Sequence, residues 1–145
     1  MRASVDVNKV HQRFGERAQF FQVYLREAHP TDGWKMKNSK IKDPLTQLER
    51  NLVASQCGKQ LKYKFPTIVD TMKDATAVRW AAWPERIFVI DVDGKIAYAG
   101  HQGPWGFWPT NRFKRSGRMK LKGDSLEAFL EKTLHETSKD KNVEP

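Results

Sequence analysis

The stretch Arg86-Ile87-Phe88-Val89-Ile90-Asp91, followed by Val92-Asp93-Gly94 and then residues 95–99, constrains the fold more than any other part of the chain. A β-branched and aromatic run, an Asp-Gly pair and a second short run predict an antiparallel hairpin. Asp93-Gly94 predicts a two-residue turn with positive φ at both central positions. Upstream of it, helical and extended patterns alternate. Val7, Val10 and Phe14 sit at helical spacing, with Gly15 to end the helix, and residues 19–25 read as a buried strand. A loop over residues 26–42 contains Pro30, Gly33, Trp34 and Asn38. Asp43-Pro44 then predicts a helix start, with Leu45, Leu48, Leu52, Val53, Cys57 and Leu61 as its drifting apolar face. A short strand over residues 66–70 and a helix over 74–82 follow, and Trp83-Pro84 stops that helix. Asp124 is expected to cap a last helix, in a capping box with Glu127, and Leu126, Phe129, Leu130 and Leu134 form its apolar face. A parallel α/β sheet with a terminal hairpin and a closing helix fits this order. It lacks a strand before the first helix.

With 145 residues, the chain is the size of one domain. Residues 1–137 are read as that domain and residues 138–145 as a disordered tail. At 39% apolar and 30% charged residues the composition is that of a soluble globular protein. There is no apolar run of the ~20 residues a membrane span needs, and no signal-peptide core, so the expected location of this chain is cytoplasmic. Cys57 is the single cysteine, which excludes an internal disulfide and a cysteine-based zinc site. Buried packing is its expected role. The histidines lack ligand-like spacing, and no metal is expected. The net charge is +9, part of it concentrated in Arg112, Lys114, Arg115, Arg118, Lys120 and Lys122. That run, beside Phe107, Trp108 and Phe113, motivates a second reading: a non-catalytic binding domain with a basic surface for an anionic ligand or nucleic acid. Most such runs are solvated loops, and nucleic-acid binding carries less weight.

Four stretches together resemble the iodothyronine deiodinase family, including its microbial deiodinase-like redoxin members. They are Tyr24-Leu25-Arg26-Glu27-Ala28-His29-Pro30-Thr31-Asp32-Gly33-Trp34, Val69-Asp70-Thr71-Met72, Ala81-Ala82-Trp83-Pro84-Glu85-Arg86-Ile87-Phe88-Val89-Ile90 and Gly103-Pro104-Trp105-Gly106-Phe107. They stand in the family's order and near its spacing, over roughly residues 5–109.

The resemblance implies a thioredoxin-like (peroxiredoxin-like) three-layer sandwich, here lacking its first, central strand. It implies an oxidoreductase whose nucleophile is a selenocysteine or cysteine at the front of the first helix, where helix N–H groups stabilise the anion. In the family only a few residues separate that nucleophile from the segment matching Arg2-Ala3-Ser4-Val5. Nucleophile and first strand are therefore expected before Met1, with an in-frame cysteine codon or a UGA read as selenocysteine a few codons upstream, and this chain alone is expected to be inactive. The strands on either side of the missing one are expected to keep unpaired edges.

Tyr24, Glu27 and His29 are implied as a hydrogen-bonded proton relay, and Pro84, Gln102 and Trp34 as substrate-binding residues. Pro84 matches a proline that is often cis, and Glu85 and Arg86 match a pair read as structural. The implied partners are a small-molecule substrate and an external thiol reductant, with no bound cofactor; a homodimer is left open. Two departures bear on substrate. Asp43-Pro44 stands where thyroid-hormone enzymes carry a histidine, and Gln102 where a basic residue is common. A generic thiol or peroxide role is at least as well supported as thyroid hormone.

Overall fold

The structure, a computed structural model, describes residues 2–111 and 123–139. Its elements run α1 (Arg2–Phe14), β1 (Gln22–Tyr24), α2 (Gln47–Leu61), β2 (Thr67–Val69), α3 (Ala75–Arg79), β3 (Phe88–Ile90), β4 (Ile96–Ala99) and α4 (Leu126–Lys139). The α/β order matches the sequence reading, but every strand is shorter than its apolar run. β1 pairs in parallel with β2, Val23 opposite Ile68, and β3 pairs antiparallel with β4. Among the described residues no ladder joins β1 to β3. The described strands therefore form two separate two-stranded sheets. Phe21 and Val23, beside and within β1, are 55% and 40% exposed.

Each half has its own packing. α1 buries Val10 and Phe14 against Leu126 and Leu130 of α4, with Ile87, Val89 and Tyr98 of the hairpin closing one side. The helical spacing of Val10 and Phe14 thus finds its partner in the last helix. Arg13 adds ion pairs to Glu127 and Glu131. In the other half, α2 packs on β2 and buries Ala54 and Arg50.

Local chemistry corrects three boundaries. α2 begins at Gln47, not at Asp43-Pro44, because Thr46 and Glu49 form a reciprocal capping box there. The Asp43 N–H instead donates to Asp32 Oδ1. At α4 the cap is Ser125, not Asp124: its Oγ accepts from Ala128 N–H, while Glu127 accepts from Arg13 and from Asn111 N–H. In the hairpin only Gly94 has positive φ, +77°. Asp91 Oδ1 accepts from Asp93 and Lys95 N–H, making a longer loop with a bulge after Val89. α4 runs through Ser138 to Lys139, and residues 140–145 and the basic run 112–122 lie outside the described residues.

Asp70 holds the second half together. Its carboxylate is 3% exposed and accepts from the N–H groups of Thr71, Thr76 and Ala77 at 2.9, 3.0 and 2.9 Å. It does for α3 what a cap residue would, since Asp74 at the cap position makes no side-chain cap bond. Burial raises the carboxyl pKa, but the bonds from Thr76, Ala77 and Thr71 outweigh it and leave the group below its ordinary 3.8. Its contribution is therefore full above that value and lost as pH falls through the lower folded value. Asp70→Ala is expected to cost about 3 kcal/mol at pH 7 by stranding buried N–H groups. Urea melts should show the gap to wild type closing below about pH 4; a pH-independent gap would refute this account.

Candidate active site

β1 ends at Tyr24, and the chain leaves the sheet there through Leu25 and Arg26 to Glu27 and His29. α/β sheets present functional groups at such carboxyl ends of strands. Tyr24 is 8% exposed, and its hydroxyl donates a hydrogen bond to Glu27 Oε1. Burial raises the phenol pKa strongly, and the hydrogen bond and negative charge of Glu27 add to it. Tyr24 therefore stays protonated and acts as a donor. His29 is not drawn into this pair. Its Nδ1 donates to the carbonyl of Trp34 at 3.2 Å, and the two rings meet edge to face at 4.9 Å. That bond turns Nδ1 toward the backbone of the loop and leaves Nε2 as the ring's other polar atom. Trp34 itself is 75% exposed.

Pro84 and Gln102 are brought together. The Trp83–Pro84 peptide is cis, and Gln102 Nε2 donates to the carbonyl of Trp83. The Gly103 N–H donates to Glu85 carbonyl at 2.8 Å. A Cβ on Gly103 would lie 2.2 Å from Glu85 Cγ, and one on Gly106 would lie 2.3 Å from His101 Cβ. Only glycine permits these approaches, which gives the Gly103-Pro104-Trp105-Gly106 motif its physical reason. Gly103–Pro104 is a second cis peptide. Arg86 donates to the carbonyl of Gly100 at 2.8 Å and stacks over Phe88, so its part here is to hold the two segments in register.

Two arginines absent from the expected site residues connect these groups. Arg26 lies over the Trp83 ring at 5.1 Å and 3.7 Å from Asp74 Oδ2, linking the Glu27 segment to the proline turn. Arg50, 2% exposed, reaches Asp74 Oδ1 at 2.8 Å and the Thr71 carbonyl at 2.6 Å. Its Nε is buried without a hydrogen-bond partner. The available signal was Arg50 standing one turn before Ala54 on the inner face of α2, where an arginine requires anionic company.

Cys57, half-buried on the same helix, receives a long contact from Gln22 Nε2 at 3.9 Å. Burial pushes its thiol up, and the charge of Glu27 adds to that against the opposing Gln22 contact. A raised thiol in mid-helix is a poor nucleophile. Among the described residues no three His, Cys, Asp or Glu side chains are grouped to hold a metal, and no helix is long and apolar enough to cross a membrane.

An α/β domain with a Tyr–Glu pair at a strand end, and Arg26 from the next turn stacked on the tryptophan of a cis-proline turn, narrows the class considerably. The family model for iodothyronine deiodinase matches residues 4–114, and the chain belongs to that family. It is 34% identical over 104 residues to the type I iodothyronine deiodinase of Xenopus laevis, covering 72% of this chain and 41% of that protein. It is 37% identical over 95 residues to the thyroxine 5-deiodinase of Gallus gallus, covering 65% and 36%. With that of Aquarana catesbeiana it shares 38% over 91 residues, covering 62% and 34%. The chain thus spans well under half the length of these relatives.

Proposed function

We propose that this domain belongs to a thioredoxin-like oxidoreductase that performs reductive dehalogenation or a related thiol-dependent reduction, with a selenium or sulfur nucleophile supplied from outside these 145 residues. The observation that carries the reading is the Tyr24–Glu27 pair at the end of β1. When a chalcogenolate attacks iodine, the carbon–iodine bond breaks, iodine passes to the chalcogen, and the carbon must take a proton. Glu27, held by a neutral phenol and near His29, is suited to relay it. External thiols then reduce the chalcogen iodide and release iodide. Cys57 is disfavoured as the nucleophile by its raised pKa and its place in mid-helix.

The split sheet supports the same reading. A strand between β1 and β3 would satisfy both edges, join the halves into one sheet and set its carboxyl end beside Glu27 and Pro84. The front of α1 would follow directly, with its N–H groups aimed at the reactive atom.

Gln102 favours a second substrate class. A side chain without charge, committed to the Trp83 carbonyl, offers no cation to the carboxylate of an iodinated amino acid. Reduction of a peroxide or disulfide makes no such demand. The discriminating experiment joins the chain behind a β-strand and a cysteine, then measures thiol-dependent iodide release from an iodothyronine and, separately, peroxide consumption. Activity is expected only in the extended form, with peroxide favoured over iodothyronine. Equal activity from the 145-residue chain unaided would sink the proposal.

A further inference from the structure

On the side of β2 away from the split lies a groove of about 610 Å³, formed with the exposed flank of α2. Asn51, Ser55 and Lys59 line one wall, and Phe65, Thr67 and Val69 line the other. The backbone of this strand has one satisfied edge. Gln22 N–H donates to Pro66 carbonyl and Asp70 N–H to Tyr24 carbonyl, so positions 66, 68 and 70 face β1. The N–H and carbonyl groups of Thr67 and Val69 therefore face the groove, and no described residue pairs with them. Lys62 and Lys64 join Lys59 at the rim, and no carboxylate lines the groove.

We propose that this groove binds an extended acidic peptide segment of a partner protein, which adds to β2 as a further strand. Free backbone groups at alternate positions are the template for strand addition and give register. The apolar floor of Phe65 and Val69 takes every second side chain, and the three lysines attract carboxylates on either side. A second copy of this chain fits poorly, because two molecules each of net charge +9 repel. A nucleic acid would meet the lysines but leave the strand edge unused.

The test uses the full chain and a fluorescein-labelled hexapeptide, Glu-Val-Glu-Val-Glu-Val, read by anisotropy. Saturable binding is expected, weakening at least tenfold in the triple variant K59E/K62E/K64E, checked by circular dichroism to be folded. The same peptide with N-methyl groups at alternate residues retains its charge but cannot pair fully with the edge, and is expected to bind at least tenfold more weakly to the wild-type protein. The latter comparison needs no variant and decides the matter even if the triple variant misfolds. Absence of saturable binding, equal affinity for the N-methylated peptide, or displacement by oligodeoxythymidylate at equal charge concentration would each overturn the proposal. So would concentration-dependent dimerisation that the K59E/K62E/K64E variant loses and the peptide reverses, since a second copy would then be the occupant of the groove.

Discussion

Phe14→Ala is expected to destabilise the domain by about 3–5 kcal/mol, the usual range for emptying a buried aromatic site. Phe14 is fully buried and sits where α1, α4 and the hairpin converge, with Val10, Leu126 and Leu130 around it. The ring leaves a cavity that helix ends cannot close without breaking the Arg13 ion pairs to α4. Against a total stability of about 5–15 kcal/mol the loss is a large share. Thermal melting monitored by circular dichroism should fall by on the order of 10 °C. A drop of only a degree or two would mean that α1 does not pack on α4.

The second large effect concerns chemistry. In the extended form carrying a nucleophile, Glu27→Gln is expected to lower kcat by about 10²–10⁴-fold, the usual contribution of a positioned acid or base. Glutamine retains an oxygen for the Tyr24 hydroxyl but cannot carry a proton, so KM and melting temperature should hardly move. Tyr24→Phe should have a smaller effect on kcat, because it removes a donor and leaves the carboxylate in place. Steady-state kinetics on the three proteins separates the cases. If Glu27→Gln turned over at the wild-type rate, Glu27 would be a loop anchor and the proton would travel another way.

The elements were legible in the sequence wherever a periodic apolar face met a partner, and their ends wherever a cap was local. The helical spacing of Val10 and Phe14 announced α1, and the run over residues 86–91 announced β3. The start of α2 was misplaced because Asp43-Pro44 carries strong helix-initiating chemistry, while the Thr46–Glu49 box three residues on has the reciprocal bonds that decide it. The hairpin turn was misread because the Asp91 carboxylate, outside the Asp93-Gly94 pair, takes the N–H groups of Asp93 and Lys95. At the candidate site, the resemblance implied Tyr24 and Glu27 as hydrogen-bonded partners, and the two do meet. It did not announce that His29 turns to Trp34, nor that Arg26 and Arg50 converge on Asp74. The two arginine links join residues more than twenty positions apart, and spacing along a chain carries no information about them; the His29 contact is local but is set by the path of the loop.

The glycine motif beside the proline turn sets a limit on how this chain can change at that place. With positions 103 and 106 closed to any side chain, the loop cannot widen, narrow or acquire a charge at either place. Variation in the shape or charge of this turn must then be written at neighbouring positions such as Gln102, which carry side chains already.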